Sequence, residues 1–197
     1  MSFYSKEELK KIGFKYVGDN VKLSKKASIY NPELISIDEN SRIDDFCVLS
    51  GEIAIGKNVH IAVFCNLAGG EEGITMEDFS GLAYHVNVFT QSDDYTGRTL
   101  TNPTIPDKYK IETKKPVFIK KHVIVGAGSM IFPGVTLSEG CSIGAMSMVT
   151  RDTECWKMYF GIPAKPIKER KKDMLKYEEA FIQDIVNSKK PKIDRRD

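Results

Sequence analysis

The sequence predicts an all-β chain wound as a parallel β-helix of hexapeptide repeats, and three observations carry that reading. Apolar residues recur every six positions: Ile37, Ile43, Leu49, Ile55, Ile61 and Leu67, then Met76, Leu82 and Val88 after a three-residue slip, then Ile119, Val125, Ile131, Leu137, Ile143 and Val149. Two residues before each stands a smaller or β-branched partner, among them Ile35, Ser41, Cys47, Val59, Val123 and Ser147. The lattice also resumes after a step of 31 residues from Val88 to Ile119.

A strand presents alternate sides every two residues, so two inward positions followed by a four-residue gap describe a short strand and a corner. Three such units close a triangular coil, and no unit buries its apolar face without stacked neighbours. Strands of an antiparallel sandwich would instead show period two between turn signals, and their phase would not persist over so many elements.

Before the lattice, Ser5 followed by Glu7, Glu8, Leu9 and Ile12 predicts a short capped helix within an N-terminal cap over 1–20. The β-helix domain is expected over 21–165. Glu71 and Glu72 fall in the slip between Leu67 and Met76, a local bulge read either as a solvated turn or as a lip of an acceptor pocket. From 91 to 116 about 25 residues leave the coil as an arm. It holds Asp93, Asp94, Tyr95 and two prolines, and long excursions of this kind are usually functional. After Pro163 and Pro166, apolar residues at helical spacing predict a terminal helix over 167–186 within a C-terminal segment 166–197, whose charged end, 188–197, is expected to fray.

Composition sets limits on function. Lys and Arg number 29 against 27 acids, a net charge of +2, which gives no global field for nucleic acid. No apolar run reaches a membrane span and the first residues lack an apolar signal core, so the expectation is a cytoplasmic protein with no membrane span. Cys47, Cys65 and Cys141 lie in the inward column as small hydrophobes, and no cysteine spacing suggests a metal or a disulfide.

The run over 119–168, with Pro133-Gly134-Val135 and the closing Gly161-Ile162-Pro163-Ala164-Lys165, resembles the hexapeptide-repeat acetyltransferases, in particular the sugar and polysaccharide O-acetyltransferases related to galactoside and maltose acetyltransferases. The resemblance implies a left-handed coil, which periodicity alone does not show. It further implies a homotrimer with acetyl-coenzyme A as co-substrate in grooves between neighbouring coils, and an arm reaching the adjacent subunit. By resemblance the pantetheine thread passes Gly126, Ala127, Gly144 and Ala145, where small residues admit a ligand to the main chain, with an oxyanion site near Gly126 and Ala127. Thr150, Arg151 and Lys165 match positions that serve the nucleotide phosphates.

Acyl transfer to a hydroxyl calls for a base near neutrality, and histidine is the natural choice. The family's arm histidine is replaced here by Asp93. Three histidines remain: His60 first among the candidates, then His85, with His122 last. All three occupy corner or outward slots of the lattice. Asp93 or Asp94 of a neighbouring arm would orient the imidazole, or would only shape the loop. The expected activity is acetyl transfer from acetyl-coenzyme A to a sugar hydroxyl of a surface polysaccharide or its precursor. The alternatives are N-acetylation of a nucleotide-linked amino sugar and a non-catalytic scaffold.

Overall fold

The structure, a computed structural model, describes residues 2–188. The chain is a left-handed parallel β-helix with two short helices. Its register shows why six is the period. Ile37 pairs with Ile55, Ile43 with Ile61 and Leu49 with Leu67, each partner one full coil of eighteen residues away. Every apolar residue of the lattice, and every partner two residues before it, is at most 3% exposed. The core is therefore three columns of stacked side chains inside a prism, each side chain roofed by its equivalent in the next coil.

The irregularities fall where the spacing changes. With the columns of Ile37, Ile43 and Leu49 marking the first, second and third faces, Ile55 pairs with Met76 across the slip through an unbroken strand, Asn66–Met76, that runs round the edge shared by the first and third. Glu71 and Glu72 point outward there, beside a shallow groove of about 360 Å³ that Ser50, Thr90, Gln91 and Lys114 also line. Across the excursion, Met76 pairs with Ile119 and Leu82 with Val125, so the coil continues beneath the arm. The arm is ordered: Gln91–Ser92 pairs antiparallel with Thr113–Lys114, and Leu100 bridges to Lys110.

Three features differ from the sequence expectation. An additional coil precedes Ile35: Val17, Leu23 and Ile29 register with Ile37, Ile43 and Leu49, twenty residues on. The lattice hides it because the 3-10 turn Pro32–Leu34 lengthens this coil. The terminal helix, α2, spans Met174–Ser188 and does not begin at 167. Lys165–Glu169 is instead an antiparallel strand covering Lys157–Phe160, the last coil strand, whose open edge needs a partner. Ile167 thus sits on that covering strand. The tail expected to fray lies, from residue 189, outside the described residues. At the other end, helix α1 (Lys6–Ile12) carries a full capping box between Ser5 and Glu8 and lays Leu9 on the core.

Two edges turn through residues in the left-handed region. One stacks Asn20, Asn40, Asn58, Phe79 and His122, with φ between 55° and 61°. Asparagine tolerates that conformation, and bulkier residues hold it only under tertiary constraint. The other edge stacks Phe46, Phe64 and His85, whose rings lie face to face at 5.1 and 4.8 Å.

Candidate functional site

The outer surface of the second face is one column of side chains in register: Lys22, Arg42, His60, Gly81, Ile124, Ser142 and Met158. Gly81 has no side chain, so a notch opens between His60 below and Ile124 above. Ala62, Ala83 and Tyr84 flank it on the aromatic edge, and Arg170 and Met174 on the other. The cleft encloses about 480 Å³.

The C-terminal segment holds its wall in place. Arg170 donates through Nη1 to the carbonyls of His122, Gly140 and Cys141 at 2.7 to 3.2 Å, stapling three backbone groups of one edge. Burial lowers its pKa from the ordinary guanidinium value without discharging it. Four residues beyond Met174, Glu178 meets Lys121 at 2.6 Å and His122 Nε2 at 2.9 Å. Burial opposes ionisation of Glu178, but the hydrogen bonds of Lys121 and His122 prevail and hold its carboxyl below the usual range.

His60 is half exposed, and its Nε2 lies 2.9 Å from Asp44 Oδ2. Asp44 is 4% exposed at its side chain, and its Oδ1 accepts from Arg42 Nε at 2.6 Å. Burial works against ionisation of this carboxyl as well. The hydrogen bonds from Arg42 and His60 outweigh it, so Asp44 remains a carboxylate, with its pKa below the ordinary value. Arg42 in turn lies over the ring of Phe3, 5.5 Å from its centroid, and Phe3 is bridged to Ser24, so the N-terminal segment pins one end of the chain of charges.

The other sequence candidates scatter. His85 is exposed at the top of the aromatic ladder. His122 is not the outward residue that its lattice slot implies: it is 3% exposed, stacked against Phe79 and covered by α2. Asp94 is occupied within its own loop, accepting from the Thr96 hydroxyl and amide and from the amides of Arg98 and Thr99, which hold its pKa down to about 2. Asp93 accepts from the Asn102 amide at 3.3 Å. Within one chain both arm carboxylates lie on the edge between the third and first faces, away from His60.

Gly126 and Gly144 lie on the aromatic edge in line with Ala62 and Ala83. Their amides are committed to the coil ladder, Gly126 to the Ile143 carbonyl and Gly144 to the Tyr159 carbonyl, both at 2.8 Å. Ala127 and Ala145 follow each glycine at the corner. Thr150 and Arg151 are exposed on the arm-bearing edge, and Lys165 is exposed at the closing end of the coil. Asp44 escaped sequence reading although its signal is present. Arg42 and His60 are eighteen residues apart, hence neighbours in one outward column, and Asp44 alternates with Arg42 on the same side of the strand.

A rigid coil, a lateral arm and a cleft edged by small corner residues define an acyl-group transferase of the coiled type, and the chain belongs to the hexapeptide-repeat acetyltransferase family. It is 44% identical over 184 residues to the dTDP-4-amino-4,6-dideoxy-D-glucose acyltransferase of Escherichia coli, covering 92% of this chain and 95% of that one. AntD, an N-acyltransferase from Bacillus cereus solved with dTDP and 3-hydroxybutyryl-CoA, superposes with a TM-score of 0.93 at 51% identity, covering 94% of this chain and 98% of that one. A serine variant of AntD, solved with dTDP-4-amino-4,6-dideoxyglucose and coenzyme A, matches with a TM-score of 0.92 at 52% identity over 93% of this chain and 98% of that one. No protein-family profile matches the chain. Among the described residues no helix is long and apolar enough to cross a membrane, and no group of His, Cys, Asp and Glu is arranged to hold a metal ion.

Proposed function

We propose that this protein transfers an acyl group, acetyl in the simplest case, from acyl-coenzyme A to the amine of a dTDP-linked 4-amino-4,6-dideoxy sugar. The observation that carries the reading is near full-length similarity, at 44% identity, to an enzyme acting on that nucleotide sugar. It favours the alternative of an amine on a nucleotide-linked sugar over the hydroxyl acceptor that the O-acetyltransferase resemblance suggests. The arm supports the same choice: a carboxylate, Asp93, stands where a base for a hydroxyl is expected, and a carboxylate suits an ammonium. An unprotonated amine is also a far better nucleophile toward a thioester than a neutral hydroxyl.

The donor would run along the aromatic edge past Ala145, Gly144, Ala127 and Gly126, with Lys165 and a neighbouring chain's Thr150 and Arg151 at its phosphates. Because the Gly126 amide is committed to the coil, the corner amide of Ala127 is the better candidate for the oxyanion. His60, and next to it His85, is the candidate proton acceptor, with Asp93 and Asp94 reaching the cleft from a neighbouring arm. A homotrimer accounts for the bare apolar side chains of Phe46, Phe64 and Met146 on this edge and of Tyr95 and Ile111 on the arm. Both substrates are cytoplasmic metabolites in kind, and the enzyme would work there.

The test is an acceptor comparison with purified protein and acetyl-coenzyme A. Release of coenzyme A with dTDP-4-amino-4,6-dideoxyglucose, giving a base-stable amide, is the expected result. Turnover only with the hydroxyl-bearing sugar, giving a base-labile ester, overturns it. The His60–Asp44 pair is the one observation favouring that second reading, since a hydroxyl needs such a base.

A further inference from the structure

We propose that Asp44, clamped by Arg42, is a positioning residue that fixes the tautomer of His60, so that Nδ1 is the atom that handles the acceptor's proton. This inference rests on the acyl-transfer reading above. Each oxygen of Asp44 has its own cationic or protonatable partner, Arg42 Nε on Oδ1 at 2.6 Å and His60 Nε2 on Oδ2 at 2.9 Å. A buried carboxylate held by an arginine can only accept. The ring nitrogen facing it therefore carries the hydrogen, and Nδ1 is left as the ring's acceptor.

The burial contrast separates this from a surface ion pair. Asp44 is 4% exposed while the imidazole it holds is 53% exposed and lines the cleft, so the buried member is the fixed one and the open member is the one available to a ligand. The orienting carboxylate of a catalytic triad stands in the same relation to its histidine. Other charges bear on the ring as well. Arg42 lies in the same column, and Arg170 and His122, the latter tied to Glu178, line the far wall. Arg170 is engaged with carbonyls, so the group directly opposed to a positive imidazole is Asp44.

In the step itself the neutral amine attacks the thioester carbonyl carbon. The surplus proton on nitrogen passes to His60 Nδ1, the carbon–sulfur bond breaks, and the departing thiolate takes that proton. Amide and thiol are the products, with no net change in protons. While the imidazole is charged, Asp44 balances it and the Nε2–H···O bond persists throughout.

The decisive measurement is the ¹⁵N spectrum of the His60 ring in uniformly labelled protein, at a pH where the imidazole is neutral, together with steady-state kinetics of Asp44→Asn. The expected result is an Nε2–H tautomer in the wild type and a mixture in Asp44→Asn. With it comes a kcat lower by about 10- to 100-fold and an acetyl-coenzyme A KM changed less than about twofold. In a His60→Gln background, Asp44→Asn should lower kcat no further, because it acts through the ring. An Nδ1–H tautomer in the wild type, an unchanged kcat in Asp44→Asn, or additive losses in the double variant would each overturn the assignment. Should Asp44→Asn fail to fold, the wild-type tautomer decides alone. Failure of the amino-sugar reading would look different: the Nε2–H tautomer would stand while no amino sugar turned over.

Discussion

Two glycines of the second face and its edge make opposite predictions, because the structure keeps them for opposite reasons. A Cβ built on Gly126 would sit 2.4 Å from the Ala145 nitrogen and 2.7 Å from the Gly144 carbonyl carbon, backbone atoms of the next coil that cannot rotate away. A Cβ on Gly81 meets only the His60 carbonyl oxygen, at 3.5 Å, which is ordinary contact. Gly126→Ala must therefore spread two coils against a close-packed core, an overpacking cost of about 1–3 kcal/mol. Gly81→Ala removes chain entropy from the unfolded state without strain and should be neutral or stabilising by about 0.5 kcal/mol. With a urea slope of about 2 kcal/mol/M, the midpoints of the two variants should separate by roughly 1 M. The assay is urea unfolding followed by circular dichroism at one fixed protein concentration, since any assembly adds a concentration term. Gly81→Ala nevertheless places a methyl group in the cleft, so its kcat/KM for the acceptor should fall while its stability does not. Equal midpoints for the two variants, or a Gly126→Ala midpoint matching the parent, would refute the steric reasoning.

Three further outcomes follow. Glu178→Gln weakens the bonds to Lys121 and His122 that dock α2. Lys121 is more than a third exposed, so the loss should be nearer 1–2 than the 3–5 kcal/mol of a fully buried pair. Acrylamide quenching of Trp156, the sole tryptophan and 6.1 Å from the His122 ring, should rise, and α2 amides should exchange faster; unaltered values for both would disprove the clamp. The carboxyls of Asp44 and Glu178 have depressed pKa values in the folded chain, so the stability they contribute is present above the ordinary carboxylate range and drains away as pH falls below about 4. Asp44→Asn and Glu178→Gln should therefore flatten the acid limb of a stability–pH curve. A thiol reagent should titrate one fast cysteine per chain, Cys155, because the other three are buried. Burial pushes the Cys141 thiol up to about 11, and the neighbouring Cys47 side chain together with burial raises that of Cys65. Three fast thiols in native protein would contradict the inward column.

The coil was legible because its rule is local: each inward slot demands an apolar or small residue, and the chain repeats the demand every six positions. Val17, Leu23 and Ile29 obey the same rule but stand one coil apart by twenty residues, not eighteen, so a strict count stops at Ile35. The terminal strand over Lys165–Glu169 was illegible for a different reason. Its five residues are all exposed, so nothing in their pattern marks a strand, and it exists because the last coil presents an open edge. The site divides in the same way. His60 was found by residue type, whereas Asp44 needed the register, which sets residues from consecutive coils side by side. His122 misled because its slot is a corner, and α2, arriving from 56 residues downstream, covers it together with Phe79 and Trp156.

A prism that repeats every eighteen residues can lengthen or shorten only by whole storeys. The cleft opens on the storey of Gly81, and Ile124, Ser142 and Met158 mark three more before the closing strand, a height of roughly 14 Å at the usual strand spacing. That height is a ruler. An extended molecule gripped at the closed end meets the notch at a set reach, and excising one storey would shorten the reach by a single step of about 4.8 Å while every inward side chain kept its phase.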